Sequence, residues 1–264
     1  FAYNAHLGVT ATPDRADNKQ LGKIFTKVGY EYSLPKAIQH HYLAPIVGRR
    51  VTDFNIDLNQ LKIVAGDFQE NELAQVIENY ISPIAKSVVN ETSDRKTLVF
   101  MPNVESSRIM AEALSAFDLD AAYLSGKHTY DERRNILMRF ARGDISHLVS
   151  CDILLEGYDE PSIEAIVMLR PTGSRAVYAQ AIGRGTRLYP GKNHLLLVEF
   201  TYNSDRLKLV TPYELFSTEG FGEDVQKRAR QMEGDTVDYL QALQDAHEDI
   251  YRTSNIINRM VEPR

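Results

Sequence analysis

The sequence has 264 residues, 43% hydrophobic and 25% charged, which is typical of a globular protein with one large domain or two smaller ones. The net charge of −6 argues against a basic protein that coats nucleic acid, although local basic patches are compatible with that total. Cys151 is the only cysteine, which excludes an internal disulfide framework and fits a reducing, cytoplasmic location. No apolar run approaches the roughly 18 residues of a membrane span, and no secretory leader is visible.

The start of the sequence predicts the end of one structural unit, followed by a connector. Residues 6–9 predict the end of a buried strand, and Pro13 then forces a turn that presents the hydroxyls of Thr10 and Thr12. At the carboxyl end of a strand such hydroxyls often contact ligands, although a simple turn explains them better when they are taken alone. We place the first domain boundary near residue 42.

The middle of the sequence alternates short apolar runs with segments of helical periodicity. Strands are predicted at residues 49–57, 97–101, 121–124, 147–150, 164–169 and 194–200, and helices at 70–89, after Asn103, from Thr129 to Gly143, and after Ser174. This order predicts an α/β fold, a parallel sheet flanked by helices with right-handed crossovers. Because residues 195–198 are all apolar, we expect both faces of that strand to be covered.

The pattern changes after residue 206, where the sequence predicts a helical extension. Helices are expected over residues 224–232 and 235–260. Leu240 and Leu243 belong to an apolar stripe that continues towards residue 257. The stripe favours a helix that docks on the domain, and a dimerising coiled coil is the alternative.

Residues 180–187 form the most informative stretch of the sequence. If they lie on one helix, Gln180, Arg184 and Arg187 share a face and can bind an anion with several oxygens, such as a phosphate chain. A solvated basic helix face is the alternative, but it leaves Gly183 and Gly185 unexplained, since glycine in a helix costs about 1 kcal/mol relative to alanine. Close approach of the backbone to a ligand or to a second lobe would explain both glycines.

Four segments together resemble the motifs of superfamily 2 helicases. They are residues 7–13 (motif III), 97–101 with the following helix (motif IV), 151–161 (motif V) and 180–187 (motif VI). Their order and spacing fit that family across about residues 1–205. The Gly-Arg-Gly-Thr-Arg form of motif VI and the connector over residues 32–43 most resemble the restriction-enzyme-like branch. That branch includes type I and type III restriction motors and bacterial or phage helicase-like proteins.

The resemblance implies a two-lobe motor that binds ATP with Mg²⁺ between RecA-like lobes. Residues 1–41 would be the end of the first lobe and the connector, 42–206 the second lobe, and 207–264 the helical extension. The resemblance implies that Arg184 and Arg187 act as catalytic arginine fingers and that Gln180 positions phosphate or water. Gly157 and Asp159 would line the ATP cleft. Thr10 and Thr12 would couple the two lobes. Taken alone, Gly157 and Asp159 are better explained by a tight turn.

The resemblance also implies contacts with the nucleic-acid backbone, which carry no sequence information. They would be made by Asn103, Ser106, Ser125, Gly126 and Cys151. The family often has threonine at the position of Cys151, and a thiol is a weaker donor than a hydroxyl. The branch favours DNA. An RNA-directed motor and a non-catalytic RecA-like binding or scaffolding module are the alternatives, and strand separation or translocation without unwinding is left open.

Two elements of the family are not found in the sequence. No Gly-x₄-Gly-Lys-Ser/Thr loop is present, and Gly191-Lys192, the nearest match, has the wrong spacing and is followed by asparagine. No acidic Mg²⁺ box precedes Thr10. The family places both elements in an upstream lobe, so we expect the Mg²⁺ ligands there, no metal site in this chain, and negligible ATP hydrolysis by this chain alone. Expected partners are DNA, the upstream lobe, and restriction or repair subunits, with no membrane.

Overall fold

The structure is a computed structural model that describes residues 7–10, 25, 27–151, 158–216, 221–232 and 236–261. The strands in these ranges are β1 (Ile46–Asp57), β2 (Ile63–Val64), β3 (Asp67–Phe68), β4 (Thr97–Phe100), β5 (Ala121–Leu124), β6 (His147–Ser150), β7 (Ala165–Met168), β8 (Leu195–Asn203) and β9 (Thr236–Asp238). The helices are α1 (Leu34–Gln39), α2 (Glu70–Glu78), α3 (Ile81–Thr92), α4 (Val104–Ser115), α5 (Tyr130–Arg142), α6 (Arg175–Gly183), α7 (Pro212–Leu215), α8 (Glu223–Met232) and α9 (Tyr239–Val261).

Within the described residues, seven strands form one sheet in the order β5-β6-β4-β7-β8-β1-β9. Neighbouring strands from β5 to β1 are parallel, and β9 is antiparallel to β1 at the edge. Strands β2 and β3 form a separate short hairpin. The predicted α/β architecture, a mostly parallel sheet flanked by helices, is confirmed.

The sheet is covered on both faces, as the apolar strands predict. Along β4, Leu98 and Phe100 belong to one core cluster, while Val99 and Met101 belong to the other. The first cluster also contains residues of α5, α6, α8 and α9, and the second contains residues of α2, α3 and α4. This alternation follows from the two-residue period of a strand, because successive side chains point to opposite faces.

The helix boundaries that follow from local capping chemistry are confirmed. Asn103 accepts a hydrogen bond from the Ser106 backbone N–H at the start of α4, and Thr129 and Glu132 form a capping box at the start of α5. Helix α5 ends at Gly143, which has a left-handed φ of 88° that glycine adopts without steric cost.

The start of the described chain differs from the prediction. Leu7 and Val9 are 87% and 93% exposed, and residues 7–10 carry no regular secondary structure. The predicted buried strand is therefore wrong for residues 7–9. A strand needs a neighbouring backbone for its N–H and C=O groups, and no described strand lies beside this segment.

The C-terminal segment contributes a strand as well as helices. The predicted helix over residues 235–260 begins instead at Tyr239, because residues 236–238 pair with β1 as β9. Leu240 and Leu243 are buried in the core, so the start of α9 docks on the sheet as the stripe predicted. The assignment of residues 207–264 to a separate extension stays a prediction.

Candidate functional site

Helix α6 leads into the candidate site and ends earlier than the sequence predicted. Ser174 caps its start by accepting a hydrogen bond from the Val177 N–H. Helix α6 ends at Gly183, so Arg184 and Arg187 do not share a helix face with Gln180. The N–H groups of Arg184 and Gly185 donate to carbonyls three residues back, and this tighter bonding closes the helix. We call residues 184–187 the arginine turn.

The arginine turn lies at the amino ends of the sheet strands. The carbonyl of Thr186 accepts a 2.7 Å hydrogen bond from the N–H of Ala44, just before β1. The N–H of Leu195, the first residue of β8, donates to the Pro45 carbonyl at 2.8 Å. The first contact fixes the backbone of the turn to the segment that leads into β1, and the second joins that segment to the start of β8.

The two glycines of this stretch have different surroundings within the protein. A Cβ atom at Gly185 would lie 2.4 Å from Leu195 Cδ1 and 3.0 Å from Ile166 Cδ1. Gly183 is exposed, and a Cβ there would have no neighbour within 4 Å. The close contacts of Gly185 are with the chain's own sheet, so packing explains this glycine without a ligand or a second lobe. Gly183 lies in open space, so its expected approach to a ligand or a second lobe stays a prediction.

Both arginines contact the segment that ends motif V. Arg184 Nη1 donates a 2.9 Å hydrogen bond to the carbonyl of Tyr158, and Arg187 Nη1 lies 3.0 Å from Asp159 Oδ1. The Arg187 Nη1 atom is buried but is not aligned for a hydrogen bond to that carboxylate. Since 68% of the Asp159 side chain is exposed, such an ion pair contributes only about 0–1 kcal/mol. The structure thus brings Arg184, Arg187 and Asp159 together.

The other residues predicted for this site are placed less fully. Gln180 is half-buried one turn before the end of α6. Gly157 and Thr12 lie outside the described residues. Thr10 is exposed in a segment without regular structure, so its predicted coupling role stays a prediction.

Lys192 belongs to the site, although the sequence pointed to it only as part of a failed match to a phosphate-binding loop. Its Nζ donates to the carbonyls of Gly185 (2.5 Å), Arg187 (3.0 Å) and Pro161 (3.5 Å). The pKa of Lys192 is lowered to about 8, mainly by burial; the charge of Glu164 opposes this shift, and the charge of Arg187 contributes to it. No local sequence signal identifies such a residue, because its acceptors come from two separate segments.

The candidate nucleic-acid residues lie at the opposite edge of the sheet. Ser150, at the end of β6, pairs with Leu124 of β5 and with Phe100 of β4. The residues that follow these strands, among them Ser125 and Cys151, are therefore neighbours at the carboxyl edge. We call this edge the carboxyl face.

Most polar side chains of the carboxyl face bind the protein itself. Ser106 is fully buried, and its hydroxyl donates to the Asn103 carbonyl at 3.1 Å. The Asn103 side chain accepts from the Ser106 N–H at 2.9 Å and donates to Asn71 Oδ1 at 3.0 Å. Ser125 is buried and accepts a 3.3 Å hydrogen bond from the Lys127 N–H.

The structure therefore corrects the expectation that the hydroxyls of Ser106 and Ser125 are available to a phosphate backbone. Small polar residues after a strand also cap the next helix or turn, and that local role uses them here. Cys151 is buried as well, whereas Gly126 is exposed.

The two groups of candidate residues are thus connected through the chain rather than by contact. Cys151 follows β6 at the carboxyl face, and Tyr158 lies beside the arginine turn at the amino edge. Residues 152–157, which lie outside the described residues, join the two edges in sequence. Among the described helices, none is both long and apolar enough to cross a bilayer.

Comparison with curated proteins finds relatives among helicases. IRC3 of Saccharomyces cerevisiae, provisionally named an ATP-dependent helicase, is 29% identical over 199 residues, which cover 74% of this chain and 29% of that protein. The irc3 protein of Schizosaccharomyces pombe, provisionally named a mitochondrial ATP-dependent helicase, is 30% identical over 207 residues, which cover 77% of this chain and 34% of that protein. The chain thus spans about a third of the length of these relatives.

Comparison with solved structures supports the same family. A fragment of a provisionally assigned HsdR subunit of a type I restriction enzyme from Vibrio vulnificus superimposes with a TM-score of 0.58 at 25% identity, covering 72% of this chain and 38% of that one. Residues 74–189 match the family described as the helicase conserved C-terminal domain. The matched range includes α6, the arginine turn and the carboxyl face. Residues 74–189 thus match the helicase conserved C-terminal domain, which confirms the predicted resemblance to superfamily 2 helicases.

Proposed function

We propose that this chain is the C-terminal portion of an ATP-dependent DNA helicase or translocase. It would supply Arg184 and Arg187 to an ATP site that an upstream RecA-like lobe completes. The observation that supports this most directly is the arginine turn itself. Two guanidinium groups lie on a backbone fixed to the sheet, beside the exposed Asp159 carboxylate, whose weak ion pair with Arg187 would give way to a phosphate.

The chemistry of the two arginines suits a phosphate chain. A guanidinium group stays protonated at all physiological pH values and presents several N–H donors to phosphate oxygens. Arg184 and Arg187 would stabilise negative charge on the transferred phosphoryl group, an effect worth roughly 10³–10⁵ in rate for arginine fingers. ATP with Mg²⁺ supplies the group that is transferred, and the Mg²⁺ ligands would belong to the upstream lobe. Asp159, Gln180 and Gly157 would line the same cleft.

The carboxyl face is the proposed surface for the nucleic-acid backbone. With Ser106 and Ser125 bound internally, exposed backbone groups around Gly126 are better placed than hydroxyls to donate to phosphates. Asn103 and Cys151 would border this surface. The likeness to a restriction-enzyme subunit favours DNA, and contacts of this kind do not themselves distinguish DNA from RNA.

ATP hydrolysis with and without nucleic acid tests the proposal. We expect negligible hydrolysis from the 264-residue chain and hydrolysis stimulated by DNA when the chain is joined to the upstream lobe. In the joined protein, Arg187→Ala should lower the stimulated rate by roughly 10³-fold or more. Arg142→Ala removes an exposed arginine from the end of α5 and serves as the matched control.

The outcomes separate the alternatives. Robust hydrolysis by the chain alone, or normal turnover by the Arg187→Ala protein, would contradict the assigned roles. Binding of nucleic acid without any hydrolysis by the joined protein would favour the non-catalytic module. Stimulation by RNA but not by duplex or single-stranded DNA would identify an RNA-directed motor.

A further inference from the structure

We propose that Lys192 is a positioning residue that holds the arginine turn against the segment ending motif V. This inference rests on the proposed function of that turn. Lys192 lies outside the motif VI stretch, and its ammonium group would contact neither nucleotide nor nucleic acid. It would act through the placement of Arg184 and Arg187.

The geometry places one ammonium group between the two backbone segments that carry the site. Two of its acceptors, the carbonyls of Gly185 and Arg187, lie on the arginine turn at 2.5 and 3.0 Å. The third, the Pro161 carbonyl at 3.5 Å, belongs to the segment that also supplies the Tyr158 carbonyl and the Asp159 carboxylate. Lys192 therefore cross-links the same two segments that the arginine side chains bridge.

An ammonium group suits this position for a physical reason. The arginine turn follows the carboxyl end of α6, where carbonyl groups lack helical N–H partners and carry partial negative charge. An ammonium group has three donors and no acceptor, so it can serve three carbonyls at once. A neutral amine would turn a lone pair towards one of them, and an apolar side chain would leave all three without this donor.

The consequence for the arginines follows from their position in the turn. Arg184 precedes Gly185, and Arg187 carries one of the carbonyls that Lys192 holds. A shift of the Gly185 or Arg187 carbonyl therefore moves the base of an arginine side chain. Misplacement of a catalytic group by about 1 Å can cost 10²-fold in rate, so the placement of this backbone matters to the proposed chemistry.

Titration of the 264-residue chain with inorganic tripolyphosphate tests the inference, with amide and arginine side-chain NMR signals as the readout. We expect Arg184→Ala and Arg187→Ala to abolish binding at the arginine turn. Lys192→Met, which keeps an unbranched side chain one atom shorter but removes the charge, should weaken binding by about 10-fold or more. Lys192→Arg keeps the charge and the donors, so its affinity should remain within about 3-fold of the unmodified chain.

A pH series separates positioning from a purely structural role. The groups facing Lys192 are the Glu164 carboxylate and the Arg187 guanidinium, and its pKa of about 8 means that it loses its proton between pH 7 and pH 9. Arginine at residue 192 stays charged over that range. The quantity to compare is the affinity of the unmodified chain divided by that of the Lys192→Arg chain, because the titration of tripolyphosphate affects both chains equally and cancels. We expect this ratio to fall from pH 7 to pH 9.

The possible results lead to different conclusions. Binding that survives both Arg184→Ala and Arg187→Ala would contradict the proposed function together with the inference. No binding by the unmodified chain would contradict the inference alone, because Lys192 would then not hold the arginine turn ready for phosphate in this chain. If both arginine variants lose binding while Lys192→Met binds normally, the inference alone is wrong. Should the methionine variant fail to fold, a flat affinity ratio between pH 7 and pH 9 would still refute the positioning role.

Discussion

Substitution of Gly185 by alanine examines the packing that fixes the arginine turn. The added Cβ would lie 2.4 Å from Leu195 Cδ1 and 3.0 Å from Ile166 Cδ1, whereas favourable carbon contacts lie near 3.5–4.0 Å. Both neighbours are side-chain ends, but Leu195 and Ile166 are completely buried in the core. They can move only by disturbing the residues packed around them.

The expected cost follows from two opposing effects. Forcing an extra methyl group into a well-packed core costs about 1–3 kcal/mol. Replacing glycine by alanine restricts the unfolded chain and returns about 0.4–1 kcal/mol. The Gly185→Ala protein should therefore be less stable by about 1–2 kcal/mol in free energy of unfolding, which corresponds to a Tm lower by about 2–8 °C.

Gly183→Ala is the matched control, because it makes the same change two residues earlier. Its Cβ would meet nothing within 4 Å, and residue 183 is the last residue of α6. Alanine favours a helix over glycine by up to about 1 kcal/mol, and the benefit is smaller at a helix end. We expect the stability of this variant to be unchanged or slightly raised.

Urea denaturation of the two variants and the unmodified chain, followed by circular dichroism, measures these differences. The reasoning is refuted if Gly185→Ala is as stable as the unmodified chain. A Gly183→Ala protein that is normally stable but no longer binds tripolyphosphate would show instead that residue 183 must approach a ligand. That result would support the explanation of this glycine that the sequence alone suggested.

Two further predictions concern other parts of the sheet. A Cβ at Gly48 would lie 2.0 Å from the buried hydroxyl of Tyr239, so Gly48→Ala should displace that ring and break its 2.9 Å hydrogen bond to Glu199. We expect the free energy of unfolding to fall by about 1–3 kcal/mol. An unchanged midpoint of urea denaturation would contradict this prediction. Burial lowers the pKa of His147 to about 4, below its value of 6.5 in the unfolded chain. The folded state therefore favours the neutral ring, and the free energy of unfolding decreases as the pH falls from 6.5 towards 4. Between pH 7.5 and pH 5 the free energy of unfolding should decrease by about 2 kcal/mol because of His147. His147→Gln should remove this part of the pH dependence, and the same pH dependence in the variant and in the unmodified chain would refute the prediction.

The fold could be predicted because its signals are local. Three of the four residues of β4 are apolar and all four are buried, and such a run is stable only when both faces of the strand are covered. Thr129 and Glu132 cap a helix through groups three residues apart, and Gly143 ends it through its own backbone conformation. Residues 7–9 were mispredicted because a strand also depends on its neighbour, which the sequence of the strand does not specify.

The site could be predicted in part. The residue types of Arg184 and Arg187 indicated an anion site, and the resemblance to helicases added Asp159. The structure brings these three residues together. The end of α6 at Gly183 and the internal hydrogen bonds of Ser106 could not be read from spacing alone, because both depend on how the backbone is already bonded.

The sequence by itself determined the α/β order, the helix caps and the residues that resemble the helicase motifs, because each depends on side chains a few positions apart. Only the tertiary structure decided why residue 185 is glycine and which group holds the arginine turn. Leu195 and Ile166 approach Gly185 from separate strands, and Lys192 joins that turn to Pro161. Contacts between segments distant in sequence leave no periodic pattern, so packing of the chain was required to find them.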